Sequence, residues 1–134
     1  PLDIDLPLEG RNASDTAVML DPDSQNVVES VYFGFDEFNI RAAERAKLSE
    51  VADLLQGDPA TRLIAEGHTS HHGTEAYNLG LGDRRAQAVR NFLVQLGVDG
   101  DRISASSMGE LEATPGLARE ASAEDRRVDL ILVP

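Results

Sequence analysis

The chain has 134 residues and a mass of 14.5 kDa, room for one domain and not two. Twenty-four acidic against 12 basic side chains give a formal charge of −12, which argues against nucleic acid as a partner and against simple electrostatic attachment to anionic lipid. There is no cysteine, so disulfides, thiolate metal sites and a cysteine nucleophile are excluded.

Hydrophobic residues at 41 % fit a soluble globular domain. No apolar run approaches the ~20 residues of a membrane helix. No basic-plus-apolar secretory signal stands at the start, which says nothing of export. Residues 1–26 are acidic, contain proline and lack sustained periodicity. They read as a linker or tether, with a short strand at Ala17–Leu20 and a chance glycosylation sequon at Asn12. The domain proper is expected at 27–134.

Residues 27–35 (VVESVYFGF) alternate Val31, Phe33 and Phe35 onto one face and predict a strand. Asp36 and Asn39 follow as a polar break and a helix cap. Ala42–Leu55 predicts an amphipathic helix burying Leu48, Val51, Leu54 and Leu55, closed by Gly57-Asp58-Pro59. Thr61–His68 predicts a second strand. After the polar loop a second helix runs to Leu96, with Ala86, Val89, Phe92, Leu93 and Leu96 inward. Gly97 suits its C′ position, and Val98 the hydrophobic contact that follows. Arg102–Met108 predicts a third strand. A long polar connection, Gly109–Asp125, carries a helical turn in its second half. Val128–Val133 is almost wholly apolar, which suits a central strand. The sum is an α/β (α+β) sandwich: a small mixed four-stranded sheet with two main helices on one face.

Three features invite chemistry. His68, His71 and His72 lie within five residues, a pattern open to a metal. Neighbours on one loop seldom converge on one ion, however, and no fourth ligand accompanies them. Ser70 stands beside two histidines, but adjacent residues seldom point at one another, no nucleophile elbow is present and nothing singles out a carboxylate pair, so no enzyme, cofactor or metal is expected. Arg84 and Arg85 sit in what reads as the early turns of a helix, where cations oppose the macrodipole. Beside free helix amides they form an anion site, with Arg126 and Arg127 as added charge. The ordinary alternative is pairing with Glu75, Asp83 or Asp125.

Four blocks, in order, resemble one family. GHTSHHGTEAYNLGLGDRRAQAV resembles the signature of OmpA-like peptidoglycan-binding domains, nearest to the version in peptidoglycan-associated lipoproteins (Pal). VYFGFDEFNI, LGVDGDRISASSMGE and DRRVDLILV resemble the family's opening strand, third strand and closing strand. The resemblance spans Val27 to Val133. It implies a periplasmic domain that holds the outer membrane to the cell wall by gripping the peptidoglycan stem peptide at meso-diaminopimelate. A loop Asp takes the ammonium and a helix Arg the carboxylate of that residue. The Arg corresponds to Arg85, the Asn of Y-N to Asn78, the first-strand acid to Asp36 and the closing-strand arginine to Arg127. Phe35, Thr69 and Leu79 are expected as further lining.

One departure bears on the ligand. The family's loop Asp falls at Ser70, which can hydrogen-bond an ammonium without neutralising it. A hydrogen bond to a charged group contributes ~1.5–3 kcal/mol, so the change is expected to weaken binding roughly ten- to a hundredfold. Compensation by Asp36 or Glu75, a different stem peptide, and an engineered substitution are all open. Asp125 replaces a usual Asn with little consequence. A lipidated cysteine, where there is one, lies upstream of Pro1. The alternative function is an envelope protein–protein module that docks a Tol-system protein and has lost the wall ligand.

Overall fold

The computed structural model describes residues 27–119 and 121–134. The tether, the short strand and the sequon read in residues 1–26 lie outside the described residues. The elements in chain order are β1 (Val27–Tyr32), α1 (Ala42–Gly57), β2 (Arg62–His68), α2 (Glu75–Gln95), β3 (Ile103–Gly109) and β4 (Arg127–Val133). Short 3-10 turns at Gly100–Arg102 and Ala123–Asp125 precede the last two strands.

The sheet order is β1-β4-β2-β3. The apolar run of β4 lies inside the sheet, antiparallel to both β1 and β2, while β2 and β3 run parallel across the α2 crossover. An inner strand covered on its faces needs no polar alternation. Val31, Leu63, Ala65, Ile103, Val128 and Leu130 of the strands share one core with Leu48, Val51, Ala52 and Leu55 of α1 and Ala86, Val89 and Leu93 of α2. The expected sandwich is therefore observed.

Two glycines allow α2 to sit close on β2. A Cβ at Gly67 would fall 1.9 Å from the carbonyl oxygen of Gly82, nearer than any real contact. Only bare backbone on both sides permits this approach. At the far end, Gly97 takes φ 105 and the Val98 N–H donates to the Leu93 carbonyl at 3.1 Å, closing the helix as its sequence predicts. The carbonyl end of α1 is held by Arg102, which donates to the carbonyls of Leu55, Asp58 and Thr61 at 2.7–2.8 Å.

The helical faces differ from the expected ones in detail. Leu54 is 45 % exposed, because the buried stripe of α1 runs through Ala52 instead. Leu96 caps α2 and is 36 % exposed, its place in the core taken by Val98. Arg41, not Asn39, is the N-cap of α1 and makes no side-chain cap. Strand β1 stops at Tyr32, so Phe33 is buried beyond its end and Phe35 lies in the following loop.

Candidate functional site

A cleft of about 200 Å³ opens where β1 and β2 end and β4 begins. Its walls combine the loop after β1 (Phe35, Asp36), the loop after β2 (Ser70, His72, Gly73), the first turns of α2 (Tyr77, Asn78, Leu81) and two guanidinium groups, Arg85 and Arg126. Of the sequence-predicted site residues, Phe35, Asp36, Ser70, Asn78 and Arg85 are brought together here. Thr69, Leu79 and Arg127 are not among the lining residues.

Arg85 departs most from the sequence reading. Helix α2 begins at Glu75, capped by Thr74, whose side chain accepts from the Tyr77 N–H. Arg85 is therefore about three turns into the helix, roughly 15 Å from the free N-terminal amides, and the proposed amide-plus-arginine anion site does not form. It is fully buried instead. Its Nε donates to Glu37 O at 2.7 Å, Nη1 to His68 O at 2.9 Å and Nη2 to Gly34 O at 3.1 Å. The side chain ties α2 to the loop after β1 and to the end of β2. Neither arginine of the pair forms an ion pair with Glu75, Asp83 or Asp125; Arg84 instead lies over Phe38 and Tyr77 at 5.6 and 5.7 Å.

Arg126 is the second cation of the cleft, and adjacent arginines in an extended segment diverge to opposite sides. Arg126 donates to Phe33 O at 3.0 Å and Arg119 O at 2.8 Å. Arg127 turns away and pairs with Asp129 at 2.9 Å and Glu112 at 3.3 Å. The closing-strand arginine of the cleft is thus Arg126 in place of Arg127. Neither cleft guanidinium has a carboxylate partner among the described residues. Burial, and next the charge of Arg126, push the Arg85 pKa down to about 10, with Asp36 opposing. Burial and then Arg41 lower that of Arg126 as well. Arg85 still carries its charge at neutral pH, so the cleft floor is cationic.

The rim is built around Asp36 and Asn78. Asp36 adopts φ 58, the one positive value outside glycine among the described residues. The Tyr77 hydroxyl donates to its carboxylate. That bond, ahead of other effects, raises the Tyr77 pKa. The Asn78 side-chain amide donates to the carbonyls of His72 (2.9 Å) and Ser70 (3.3 Å) and to the Glu110 carboxylate (2.8 Å), so it shapes the loop that presents Ser70. Ser70 is 4 % exposed. His72 stands edge-on to Phe35 at 5.7 Å with its Nε2 buried and unpartnered, and stacks on His71 at 4.3 Å. Sequence reasoning missed Tyr77 and Leu81 as lining; it raised Arg126 only as added charge at an anion site, assigning the ligand-binding role to Arg127, and His72 only as a metal candidate.

The three histidines do not converge. His71 contacts Leu117 O at 3.0 Å, whereas the His68 ring turns to the other face of the sheet, 3.1 Å from Glu66 and 3.4 Å from Asp129. Thr69 is buried, its N–H donating to Gly109 O at 2.9 Å. Leu79 is 51 % exposed and lines a separate apolar groove with Met108 and Leu111.

Fold and cleft together define a small α/β domain with a polar cleft at one end of its sheet. Residues 32–128 match the model of the OmpA family, and the chain belongs to that family. It is 39 % identical over 109 residues to a peptidoglycan-associated lipoprotein of Pasteurella multocida, a match covering 81 % of this chain and 73 % of that protein. It is also 39 % identical over 100 residues to outer membrane porin F of Pseudomonas aeruginosa, covering 74 % of this chain but 28 % of that protein. The crystal structure of the peptidoglycan-associated lipoprotein from Burkholderia pseudomallei superposes with a TM-score of 0.74 at 36 % identity, covering 78 % of this chain and 89 % of that one.

Proposed function

We propose that this domain binds peptidoglycan without catalysis and anchors the outer membrane to the cell wall from the periplasmic side. The supporting observation is the pair of buried guanidiniums, Arg85 and Arg126, satisfied by carbonyls with no carboxylate partner among the described residues and set in a cleft that also carries Asp36. A buried cation without a counter-ion favours an anionic ligand, and its desolvation is already met by the fold. Three of the five Arg85 donors are used, leaving two for a carboxylate. The ligand is the stem peptide, its free amino-acid end at diaminopimelate supplying a carboxylate for the arginines and an ammonium for Asp36. Ser70 offers that ammonium a hydroxyl in place of a second carboxylate, which weakens the grip. Family membership and the names of its relatives favour the same reading.

Co-sedimentation with purified sacculi tests it. The wild-type protein is expected in the pellet, Arg126→Gln largely in the supernatant, and Ser70→Asp more completely in the pellet. Unchanged sedimentation in both variants refutes the cleft assignment.

A second reading, docking of an envelope protein of the Tol type, is favoured by the apolar groove of Leu79, Met108 and Leu111, in which Leu111 is 68 % exposed. It predicts that Leu79→Asp with Leu111→Asp abolishes protein capture and leaves sacculus binding intact.

A further inference from the structure

We propose that Glu66, His68 and Asp129 form a binding site for a divalent metal of the zinc type, on the sheet face away from the helices and separate from the cleft. Glu66 and His68 are two residues apart on β2 and so share a face. Asp129 is the cross-strand partner of Glu66 on β4. One ligand atom from each lies within 4.8 Å of the other two. His68 Nε2 is 3.1 Å from Glu66 Oε1 and 3.4 Å from Asp129 Oδ2. Tetrahedral bonds of about 2.0–2.1 Å separate neighbouring ligands by about 3.3 Å, so those two spacings need little adjustment. Three protein ligands leave the fourth position to water.

The surroundings supply the outer contacts that zinc sites use. A ligating histidine donates its other ring N–H to a carboxylate or carbonyl. His68 is 1 % exposed, and its Nδ1 is buried without a hydrogen-bond partner, 3.8 Å from Glu112 Oε1. With Nε2 committed to a metal, Nδ1 must carry the proton, and Glu112 is the acceptor it faces. Glu112 is itself held by Arg127 at 3.3 Å. The other Asp129 oxygen, Oδ1, accepts from Ser30 Oγ at 2.7 Å and Arg127 Nε at 2.9 Å, which fixes the carboxylate with Oδ2 toward His68. Among the described residues, three carboxylates surround His68 (Glu66, Asp129 and Glu112), and Arg127 pairs with two of them, an excess of negative charge that a dication reduces. Glu66 and Asp129 retain 22 % and 13 % of their side-chain exposure, which gives the ion a way in. The ordinary reading is a hydrogen-bonded network in which His68 Nε2–H donates to Glu66 and Asp129; Nδ1 faces Glu112 at 3.8 Å in both readings.

Zinc chloride titrated calorimetrically into metal-free, tag-free protein decides between them. One equivalent is expected to bind and to raise the melting temperature. Glu66→Gln and Asp129→Asn are expected to abolish binding, Glu112→Gln to weaken it roughly tenfold, and the His71→Ala/His72→Ala double variant to leave it unchanged. Glu112 is half exposed, so its variant tests the site without threatening the fold. Absence of both heat and a melting shift in the wild type overturns the proposal. So does binding that survives Glu66→Gln or that disappears in the His71/His72 variant.

Discussion

The end of β2 divides two regions of opposite electrostatic character. On one side the His68 carbonyl accepts from Arg85, and the cleft holds two buried guanidiniums with no carboxylate among the described residues bonded to either. On the other the His68 ring lies among Glu66, Asp129 and Glu112, with Arg127 as the one cation in the cluster among the described residues. A single residue serves both, through its backbone in one case and its side chain in the other. The contrast shows how a chain of net charge −12 can still present a cationic cleft. Local placement, set by which way neighbouring residues face, overrides the total.

The comparison can be broken most severely at Arg85. Arg85→Ala removes three hydrogen bonds from a buried guanidinium, to the carbonyls of Glu37, His68 and Gly34, of which Gly34 keeps the Glu37 N–H as a donor. At ~1.5–3 kcal/mol for each hydrogen bond to a charged group, the loss reaches at least about 4 kcal/mol, seen as a lower urea midpoint. Because this change threatens the fold, it reports stability before it reports binding. Arg126→Gln separates the two. It is expected to cost roughly ten- to a hundredfold in affinity for sacculi, with a fall in melting temperature smaller than for Arg85→Ala because Gln keeps an amide donor for one of the two carbonyls.

On the acidic side, Asp129→Asn is expected to cost about 2 kcal/mol at neutral pH. Burial would raise the Asp129 pKa, but hydrogen bonds from His68, Ser30 and Arg127 outweigh it and hold the value at about 2. A depressed carboxylate stabilises the fold above its unfolded pKa of about 3.9, and that contribution is lost as pH falls toward the folded value. Denaturation curves of wild type and variant should therefore differ at pH 7 and converge between about pH 4 and 2. The smallest effect is expected at the rim. Tyr77→Phe removes the hydroxyl that donates to Asp36 and should weaken ligand binding by less than about tenfold, measured by the same sedimentation assay.

Much of this architecture is legible in the sequence because burial imposes periodicity. The apolar run of β4 gives its inner position, and Gly97 with Val98 gives the end of α2. What is not legible follows from one-residue offsets and from glycine. The sequence reads Arg84 and Arg85 into the early turns of a helix, whereas α2 starts at Glu75 and runs through Gly80 and Gly82, the latter a contact point against Gly67. Arg85 thus changes from an exposed helix-start cation to a buried strut. Arg126 and Arg127 cannot be told apart by type, and the start of β4 decides which of them meets the cleft. The three histidines look like a cluster in sequence, but alternation sends the His68 ring through the sheet while His71 and His72 stay in the loop.

The central claim is that the cationic cleft holds the free end of a peptidoglycan stem peptide, with Ser70 as the weak point. Calorimetric titration of wild type and Ser70→Asp with a stem peptide containing meso-diaminopimelate, against the same peptide carrying lysine there, tests it most directly. Saturable one-to-one binding of the diaminopimelate peptide, tighter by roughly ten- to a hundredfold in Ser70→Asp and lost with the lysine peptide, is the predicted result. Equal binding of both peptides, or no heat from either protein, would contradict it.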